Sequence, residues 1–289
     1  MLIVDGHAYA YRAFHAIREL RSPAGKPTNA IYGFVKMLEK MGATIAPTHR
    51  IVVWDGGLSV ARMASLPEYK AQRPEMPEDL RQQLDEIVAY LDAAGIASYC
   101  SPGIEADDYI ACLARQASEA GMNVVIASSD KDFMQLVSAR VGLLNPNDKS
   151  EAVWTDEQVR AKAGVEPSQI VDWLSLMGDH VDNIRGVPGV GTKTATDLLK
   201  QFGSTENLYR HLDDVKSERL RGALRESEAV VRRNRDLVRL HEVECVFLAD
   251  DLKPRPADPA RLRELFARWG FRKMLAAVEL SAEKQAVLI

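Results

Sequence analysis

LIVD, at residues 2–5, is the first of three short apolar runs in this chain that each end on aspartate. The second is IVVWD at residues 51–55, and the third is NVVIASSDKD at residues 123–132, which supplies two aspartates. Runs of this length, rich in Val and Ile and too short for a helix, are typical of buried parallel strands. The carboxyl ends of parallel strands meet at one edge of an open sheet, where functional groups gather. The sequence therefore predicts an α/β fold whose strand-end acids converge.

Carboxylates that meet at one place repel one another and raise each other's pKa, because burial and like charge disfavour the ionised form. A divalent cation is the natural compensation for such a cluster. Oxygen ligands without an accompanying Cys or His cluster favour Mg²⁺ or Mn²⁺ over zinc. The three cysteines are widely spaced and form no CxxC pattern, which also argues against structural zinc. The strand-end aspartates thus predict a site for hard divalent ions.

Two further acidic groups extend this prediction. GIEADDYIACLA at residues 103–114 begins a predicted helix with three acids, of which Glu105 and Asp108 are i,i+3 and share a helix face. Acids in a first helical turn are also stabilised by the helix dipole, so any one of them could serve only as a cap. MGDHVDNI at residues 177–184 holds a second i,i+3 pair, for which a solvated helix face or an N-cap is the alternative.

Nine acids therefore form the candidate metal site. They are Asp5, Asp55, Glu105, Asp107, Asp108, Asp130, Asp132, Asp179 and Asp182. Mg²⁺ keeps several waters and takes few carboxylates, so nine acids suffice for two ions and an outer shell. Two ions about 3.5–4 Å apart are a common arrangement in nucleases and phosphatases. We therefore expect two Mg²⁺ ions, for which Mn²⁺ could substitute.

The chain is expected to have two regions. Residues 1–150 alternate strand-like and helix-like segments, which predicts a mostly parallel sheet flanked by helices. Residues 151–289 are almost wholly helical in pattern, with short Gly/Pro interruptions. The helices expected in the first region are Tyr9–Ile17, Ala30–Met41, Asp79–Ala94 and Ala106–Ala120.

The stretch at residues 56–79 has little apolar periodicity and connects a buried strand to a helix by an unusually long route. It carries the basic and aromatic residues Arg62, Tyr69, Lys70 and Arg73. Long connections of this kind tend to be functional lids or binding loops. A solvated surface loop is the alternative.

A glycine-rich turn follows the second acid pair at once, in IRGVPGVGTKTATDLLKQFG at residues 184–203. The motif GxxxxGK[ST] is not matched, and the strand that a Rossmann turn needs does not precede it. Two predicted helices joined by this turn indicate a helix-hairpin-helix element at about residues 170–205. Its glycines allow backbone N–H groups to approach a phosphate, and the following helix N-terminus favours an anion. The residues expected to contact DNA there are Gly186, Gly189, Gly191, Thr192 and Lys193.

The net charge of −4, taken alone, counts against nucleic-acid binding, which usually shows a basic surface. Nine of the 41 acids in one metal site would leave 32 acids against 37 basic residues elsewhere. No run approaches the roughly 18 apolar residues of a membrane span, and the N-terminus begins directly in a strand without a signal-peptide pattern. We therefore expect a cytoplasmic protein with no membrane partner.

These motifs, in this order, resemble the 5′-nuclease family, which includes flap endonucleases and the N-terminal 5′–3′ exonuclease domain of bacterial DNA polymerase I. The stretches that carry the resemblance are LIVDGHAYAYRAFHA, PTNAIYGF, VVWDG, YKAQRPEMPEDL, GIEADD, SSDKDFMQLV, LMGDHVDNIRGVPGVGTKTA and FRKMLAAVEL. The resemblance implies a PIN-like nuclease core at residues 1–150, with an arch at about 58–95, followed by a helix–three-turn–helix DNA-binding region. It also implies two-metal hydrolysis of a phosphodiester near a 5′ end, giving a 5′-phosphate and a 3′-hydroxyl.

The resemblance further implies roles for single residues. All nine acids fall on the family's carboxylate positions, and Arg12, Lys70 and Arg73 match its basic residues near the scissile phosphate. Arg62 and Tyr69 would belong to the arch, where Tyr69 could stack on a displaced base. The hairpin would hold a monovalent cation, K⁺, through backbone carbonyls.

The expected partners are DNA with 5′ flaps, nicks or 5′ ends, and a DNA polymerase domain or a polymerase acting in trans. We expect a monomer that works near the bacterial nucleoid in replication and repair, and that also removes the RNA of RNA–DNA primers. Two other readings remain open: a PIN-type endoribonuclease, and a DNA-junction binding module without catalysis. The balance between exonuclease and flap endonuclease activity is also open, as is whether the chain is free-standing or a domain of a polymerase.

Overall fold

The computed structural model describes the backbone of residues 1–246 and 249–287, and side-chain burial for residues 1–246 and 251–280. The chain divides into two compact units, each assembled from separated segments. Unit 1 contains Met1–Asp55, Glu75–Ser101 and Cys245–Ile289, and unit 2 contains Gly56–Pro74 and Pro102–Glu244. This division does not follow the predicted boundary at residue 150, which stays a prediction.

Unit 1 contains three parallel strands in the order β3-β2-β1. They are β1 (Leu2–Asp5), β2 (Arg50–Trp54) and β3 (Ala97–Cys100). Val4 pairs with Val52, and Asp5 pairs with Val53, so the two strands run in register to their carboxyl ends. The side chains of β1 and most of β2 are buried, as the continuous apolar runs predict for parallel strands. Strand β3 was not among the predicted strands, because its sequence ASYC is only half buried and carries little apolar signal.

The described part of unit 1 contains five helices, of which the first three lie close to their predicted positions. They are α1 (Gly6–Ala16), α2 (Asn29–Ile45), α4 (Glu78–Ala93), α12 (Pro259–Trp269) and α13 (Arg272–Val287). Helix α1 begins directly after Asp5, whose carboxylate accepts a hydrogen bond from the N–H of Ala8 at 3.0 Å. A side chain in this position satisfies one of the unpaired N–H groups of a helix N-terminus.

The N-terminus of α2 is capped from a distance. Thr28 makes no side-chain capping bond, and the Oε1 of Gln83 on α4 instead accepts from the N–H groups of Ala30 and Ile31 at 2.8 and 3.2 Å. The Nε2 of the same amide donates to the Oδ1 of Asn29. Gln83 is 1% exposed, so this is a buried polar contact between two helices that are far apart in sequence.

The C-terminal segment is an integral part of unit 1. The N–H of Arg255 donates to the carbonyl of Gly95 at 2.9 Å, and the N–H of Asp258 donates to the carbonyl of Ala93 at 2.8 Å. Phe266 on α12 packs against Tyr90 on α4 with a ring-centroid distance of 6.1 Å. Residues 255–266 therefore pack against the α4 and β3 part of unit 1.

Unit 2 contains a second group of strands, in the order β4-β5-β6. They are β4 (Val124–Ala127), β5 (Val141–Leu144) and β6 (Val153–Trp154), with β5 parallel to β4 and antiparallel to β6. A separate antiparallel pair is formed by β7 (Gly178–Asp179) and β8 (Ile184–Arg185). The helices are α3 (Val60–Ser65), α5 (Ala106–Glu119), α6 (Asp156–Ala163), α7 (Ile170–Met177), α8 (Thr192–Phe202), α9 (Thr205–Arg210), α10 (Glu218–Glu226) and α11 (Glu228–Val238).

The predicted combination of mostly parallel strands with flanking helices, followed by a helical region, is confirmed. Helix α5 begins within the GIEADD motif, and α7 and α8 flank the glycine-rich turn, as predicted. Residues 288 and 289, at the end of the predicted second region, lie outside the described residues. No helix in the described part of the chain is long and apolar enough to cross a membrane.

Candidate functional site

Three buried aspartates of unit 2 form the centre of the candidate site. Asp132, Asp179 and Asp182 each offer one carboxylate oxygen, and these oxygens lie within 4.8 Å of one another. Asp132 lies in a 3₁₀ turn that follows β4, Asp179 is in β7, and Asp182 is in the turn between β7 and β8. Helix α7 ends before Asp179 because Gly178 adopts a φ of +78°, which redirects the chain. We call these three residues the acidic triad.

The acidic triad meets the electrostatic requirements of a cation site. Burial raises the pKa of Asp132 well above its usual value, and the neighbouring Asp130, Asp179 and Asp182 carboxylates raise it further. The Oδ1 atom of Asp132 is buried and has no hydrogen-bond partner among the described residues. An unpaired buried carboxylate oxygen is costly unless a cation binds it. The donor set, composed of carboxylates alone, suits a hard divalent ion such as Mg²⁺.

Asp130 supports the turn that carries Asp132. Its Oδ1 accepts a hydrogen bond from the N–H of Asp132 at 2.9 Å, and its own N–H donates to the Oγ of Ser128 at 3.1 Å. Burial, together with Asp182 and Asp179, raises the pKa of Asp130. Asp130 thus interacts electrostatically with the acidic triad and also caps the turn that contains Asp132.

Lys131 is a functional candidate that the sequence reasoning missed. Its Nζ lies 2.9 Å from the Oδ1 of Asp179, and its side chain is 38% exposed. Burial alone would lower the pKa of this ammonium, but Asp179, Asp132 and Asp130 outweigh burial and raise it. Its position between two predicted ligands in the motif SSDKD was the available signal.

Glu105 lies beside the predicted basic residues. It precedes α5 as its N-cap residue, and the Nη1 of Arg62 lies 3.3 Å from its Oε1 and 2.7 Å from the Oδ2 of Asp108, so the two carboxylates face the same guanidinium. Its Oε1 accepts from the N–H of Ser59 at 2.9 Å, and its Oε2 accepts from the Nζ of Lys70 and, at 3.2 Å, from the hydroxyl of Tyr69. Burial would raise the pKa of Glu105, but Lys70, Arg62 and the Ser59 N–H outweigh it and lower the pKa.

The segment containing Lys70 and Arg73 packs against the acids. The Nη2 of Arg73 lies 2.7 Å from the Oδ1 of Asp182, and the N–H of Lys70 donates to the carbonyl of Asp182 at 3.0 Å. Burial lowers the pKa of Lys70, but Asp107, Asp182 and Glu105 together raise it, so its ammonium stays charged. Lys70 is 5% exposed, whereas the side chain of Arg73 is 40% exposed. Two of the three residues predicted near the scissile phosphate, Lys70 and Arg73, therefore lie beside the candidate ligands.

Tyr69 does not occupy the position expected for base stacking. It is 4% exposed, and its hydroxyl contacts Glu105 and, at 3.4 Å, the Oδ2 of Asp182. Its ring is therefore covered, and the residue acts here as part of the packing around the acids. Asp107 is half-buried, with its Oδ2 4.0 Å from the Nζ of Lys70, at the outer side of the same cluster.

Arg62 and Asp108 form a buried ion pair that the sequence did not predict. The side chain of Arg62, predicted to contact DNA, is 3% exposed, and its Nη1 and Nη2 donate to the two carboxylate oxygens of Asp108 at 2.7 and 2.8 Å. Both carboxylate oxygens of Asp108, which was predicted as a metal ligand, thus accept hydrogen bonds from the guanidinium. The spacing in GIEADD could not show this, because the partner of Asp108 lies 46 residues away.

Three predicted residues belong to unit 1. Asp5 caps α1, and Arg12 is an exposed residue of the same helix. The N–H of Asp55, at the end of β2, donates to the Nδ1 of His7 at 3.1 Å. The Oδ1 of Asp55 is buried without a hydrogen-bond partner among the described residues, as the Oδ1 of Asp132 is.

The glycine-rich turn adopts a compact form. A Cβ on Gly186 would lie 2.1 Å from the carbonyl carbon and oxygen of Met177, so only glycine fits there. Gly189 has a φ of +79°, and Gly191 precedes α8 as its N-cap residue. Thr192 and Lys193 are exposed at the start of α8. The backbone and the lysine at this helix N-terminus therefore face solvent, as an anion-binding element requires.

Two models of known protein families match this chain. A family model described as "5'-3' exonuclease, N-terminal resolvase-like domain" matches residues 1–164, and "5'-3' exonuclease, C-terminal SAM fold" matches residues 165–260. The chain belongs to the 5′–3′ exonuclease family. It is therefore a nuclease that hydrolyses phosphodiester bonds, with the PIN-like core and helical second region that the resemblance implied.

The family relatives differ in length. A 5′-3′ exonuclease of Aquifex aeolicus is 38% identical over 280 residues, which cover 96% of this chain and 95% of that protein. DNA polymerase I of Bacillus caldotenax is 37% identical over 288 residues, or 99% of this chain but 33% of that protein. The chain therefore spans about a third of the length of that polymerase relative.

Solved structures share the fold. A T5 5′-exonuclease with bound divalent metal ions (zinc) superposes with a TM-score of 0.70 at 24% identity, covering 96% of this chain and 97% of that one. The catalytic core of Rad2 in complex with a DNA substrate gives a TM-score of 0.66 at 18% identity, covering 96% and 91%. At these identities the likeness concerns the fold.

Proposed function

We propose that this member of the 5′–3′ exonuclease family is a structure-specific 5′ nuclease. It cuts 5′ flaps and degrades nicked or gapped duplex from the 5′ end, including the RNA of RNA–DNA primers. Its products carry a 5′-phosphate and a 3′-hydroxyl, and it acts in replication and repair. The observation that carries this proposal is the acidic triad, whose three buried carboxylate oxygens lie within 4.8 Å of one another in a chain of this family.

The candidate metal ligands follow from the carboxylates around the triad. In unit 2 these are Asp107, Asp130, Asp132, Asp179 and Asp182, with Glu105 adjoining through its contacts to the same basic segment. We retain Asp5 and Asp55 as ligands on the sequence argument, since each ends a buried strand. When bound, a pair of Mg²⁺ ions would lower the pKa of an attacking water and stabilise charge on the leaving oxygen.

The basic residues have separate roles in this proposal. Lys70 is charged and buried, so its ammonium is suited to contact a non-bridging oxygen of the scissile phosphate once its present partner Glu105 is engaged elsewhere. Arg73 is more exposed and could hold an adjacent phosphate with its planar guanidinium. Arg12, exposed on α1, is assigned to the same phosphate contacts by the family resemblance.

Duplex binding is assigned to the glycine-rich turn. Exposed Thr192 and Lys193 at the N-terminus of α8 would hold backbone phosphates, which predicts recognition of shape rather than sequence. We also propose a K⁺ ion at this turn, held by backbone carbonyls. Because several relatives are DNA polymerases I, we propose that the chain acts with a polymerase, as a domain or in trans, near the bacterial nucleoid as a monomer.

The first experiment compares purified protein on a 5′-end-labelled flap duplex in Mg²⁺ and in EDTA. We expect a short labelled product, released near the junction, only with Mg²⁺. Asp132→Asn should abolish turnover while flap binding persists, whereas Asp214→Asn, an exposed acid outside the site, should cleave like the parent.

Two results would redirect the assignment. Tight flap binding without cleavage in Mg²⁺ or Mn²⁺ would favour the DNA-junction binding module. Cleavage of single-stranded RNA without any dependence on a 5′ end or junction would favour the endoribonuclease. A ladder of products from the 5′ end, compared with a single product at the junction, would separate exonuclease from flap endonuclease activity.

A further inference from the structure

The Arg62–Asp108 pair is the most completely satisfied ion pair among the described residues of unit 2. Both residues are at most 4% exposed. Besides its two bonds to Asp108, the guanidinium donates from Nε to the carbonyl of Leu237 at 3.0 Å and from Nη2 to the carbonyl of Arg239 at 2.9 Å. The Oδ1 of Asp108 also accepts from the N–H of His241 at 2.8 Å. Buried charges are stable only when their hydrogen bonds are satisfied in this way.

The same guanidinium reaches a candidate ligand. Its Nη1 lies 3.3 Å from the Oε1 of Glu105, the oxygen that also accepts from the N–H of Ser59. The other oxygen of Glu105 contacts Tyr69 and Lys70. These partners of the Glu105 carboxylate all belong to residues 59–70, so its orientation depends on how that segment is fixed. Arg62 holds the α3 part of this segment against residues 237–239, whereas the Lys70 end is held by the carbonyl of Asp182.

The segment that follows α11 connects this pair to the acidic triad. Residues 237–241 receive the bonds from Arg62 and Asp108, and they are also held by Gln135, whose Nε2 donates to the carbonyl of Val238 at 3.0 Å. The Oε1 of Gln135 accepts from the N–H of Leu240 at 3.1 Å. Gln135 lies in the 3₁₀ turn that carries Asp132. The backbone of residues 237–241 therefore binds both Arg62, which contacts Glu105, and Gln135, which lies in the same turn as Asp132.

We infer that Arg62 and Asp108 are a positioning pair for the nuclease site, and that Asp108 is not a metal ligand. The pair holds α3 and residues 237–241 in place, so that Glu105 and the Asp132 turn keep their relative geometry. This inference rests on the proposed function for its kinetic part. A pair that acts through Glu105 should change turnover more than substrate binding, because outer partners of metal ligands affect how the ligands are held.

The test compares five variants with the parent. Asp108→Asn and Asp132→Asn test which of the two aspartates is a metal ligand. The quantity compared is the number of Mn²⁺ ions bound per chain, obtained from the electron paramagnetic resonance signal of free Mn²⁺. The double variant Arg62→Met/Asp108→Leu removes both charges together, and replacing a buried ion pair with apolar groups is often neutral for stability. Arg62→Lys keeps the charge without the two-pronged geometry. Arg221→Met is the matched control, because Arg221 is a half-buried arginine that donates to the carbonyl of Val215, outside α3, residues 237–241 and the Asp132 turn.

We expect Asp108→Asn to bind as many Mn²⁺ ions as the parent and Asp132→Asn to bind fewer. Arg62→Met/Asp108→Leu should melt near the parent temperature yet lose about 10- to 100-fold in kcat on the flap, with KM changed less than about threefold. Arg62→Lys should fall between the double variant and the parent, and Arg221→Met should keep the parent kcat.

Loss of a bound Mn²⁺ ion in Asp108→Asn would overturn the assignment and restore Asp108 as a ligand. A folded double variant with the parent kcat would show that the pair contributes only to stability. If the double variant does not fold, the Mn²⁺ count of Asp108→Asn and the kcat of Arg62→Lys still decide the two points. A parent that fails to cleave would refute the proposed function, whereas the Mn²⁺ counts would still decide whether Asp108 is a ligand.

Discussion

The Nζ of Lys131 lies 2.9 Å from the Oδ1 of Asp179, so an internal cation already occupies one side of the acidic triad. A divalent ion that binds Asp179 must compete with this ammonium. We expect Lys131→Met to lower the Mg²⁺ concentration needed for half-maximal stabilisation by about three- to tenfold, a modest effect because the side chain is partly exposed. The measurement is the melting temperature across a Mg²⁺ titration.

Lys216→Met is the control, since Lys216 is an exposed lysine outside the site. It should leave the Mg²⁺ dependence unchanged. An unchanged or weaker Mg²⁺ dependence in Lys131→Met would mean that Lys131 leaves Asp179 freely, or that it helps to hold the ion.

A pH prediction follows from Asp132, whose pKa in the folded protein is raised by burial and then by neighbouring carboxylates above the usual value of 3.8. An acid with a raised folded pKa stabilises the fold below the unfolded pKa, and this contribution is lost as pH rises through the folded pKa. In EDTA, the parent should therefore lose stability relative to Asp132→Asn as pH rises from about 4 to 7. Thermal melts of both proteins across this range test the prediction.

The variant should melt above the parent at pH 7 in EDTA, and Mg²⁺ should raise the parent melting temperature much more than that of the variant. The exposed Asp214→Asn serves as the control for removing one negative charge. A constant difference in melting temperature between the parent and Asp132→Asn at all pH values would contradict the prediction that the ionised Asp132 carboxylate destabilises the metal-free fold.

Gln83 offers a stability prediction in unit 1. Gln83→Ala removes the acceptor for the N–H groups of Ala30 and Ile31 and leaves Asn29 without its amide donor. Unsatisfied buried groups and a lost cap should together cost about 2–4 kcal/mol in the free energy of unfolding. Urea unfolding monitored by circular dichroism measures this cost.

The adjacent Gln82 is the matched control, because it is exposed and its side chain donates to Glu78 on the same helix. Gln82→Ala should change the unfolding free energy by less than about 0.5 kcal/mol. Equal effects of the two substitutions would show that the capping bond contributes little.

The glycine-rich turn distinguishes two glycines. Gly186→Ala would place a methyl group 2.1 Å from the backbone of Met177, and we expect it to destabilise the protein by about 1–3 kcal/mol and to weaken duplex binding. Gly191→Ala meets nothing within 4 Å and should leave stability within about 0.5 kcal/mol. Thermal melts and fluorescence anisotropy with labelled duplex DNA provide the two readouts. Normal duplex binding by a folded Gly186→Ala protein would argue against the assigned DNA contact.

The sequence allowed prediction of those features that depend on local patterns. Apolar runs gave β1, β2 and β4, and helical periodicity gave α1, α2, α4 and α5 to within a few residues. Strand-end position correctly indicated that Asp132 belongs to an acidic cluster. The i,i+3 reading of Asp179 and Asp182 gave the right neighbours for the wrong reason, because both lie outside a helix, around a short antiparallel pair.

Features that depend on distant partners were not predictable. Arg62 and Asp108 looked like a DNA contact and a ligand, because nothing local indicates that they pair with each other across 46 residues. Lys131 was passed over because a lysine between two aspartates is usually a solvated charge. Gln83 showed no signal at all, since an amide on a helix is normally exposed and its capped helix lies 53 residues earlier.

Unit 1 is assembled from segments that lie far apart in the sequence, and this affects how the chain folds during synthesis. The carbonyls of Ala93 and Gly95 receive their hydrogen bonds from residues 258 and 255, so the edge formed by α4 and β3 stays open until the C-terminal segment has been made. All residues of unit 2 leave the ribosome before Cys245. We therefore expect unit 2 to fold first during synthesis. Unit 1 contains β1, which is translated before any other strand, but its core can close only after α12 and α13 have been made.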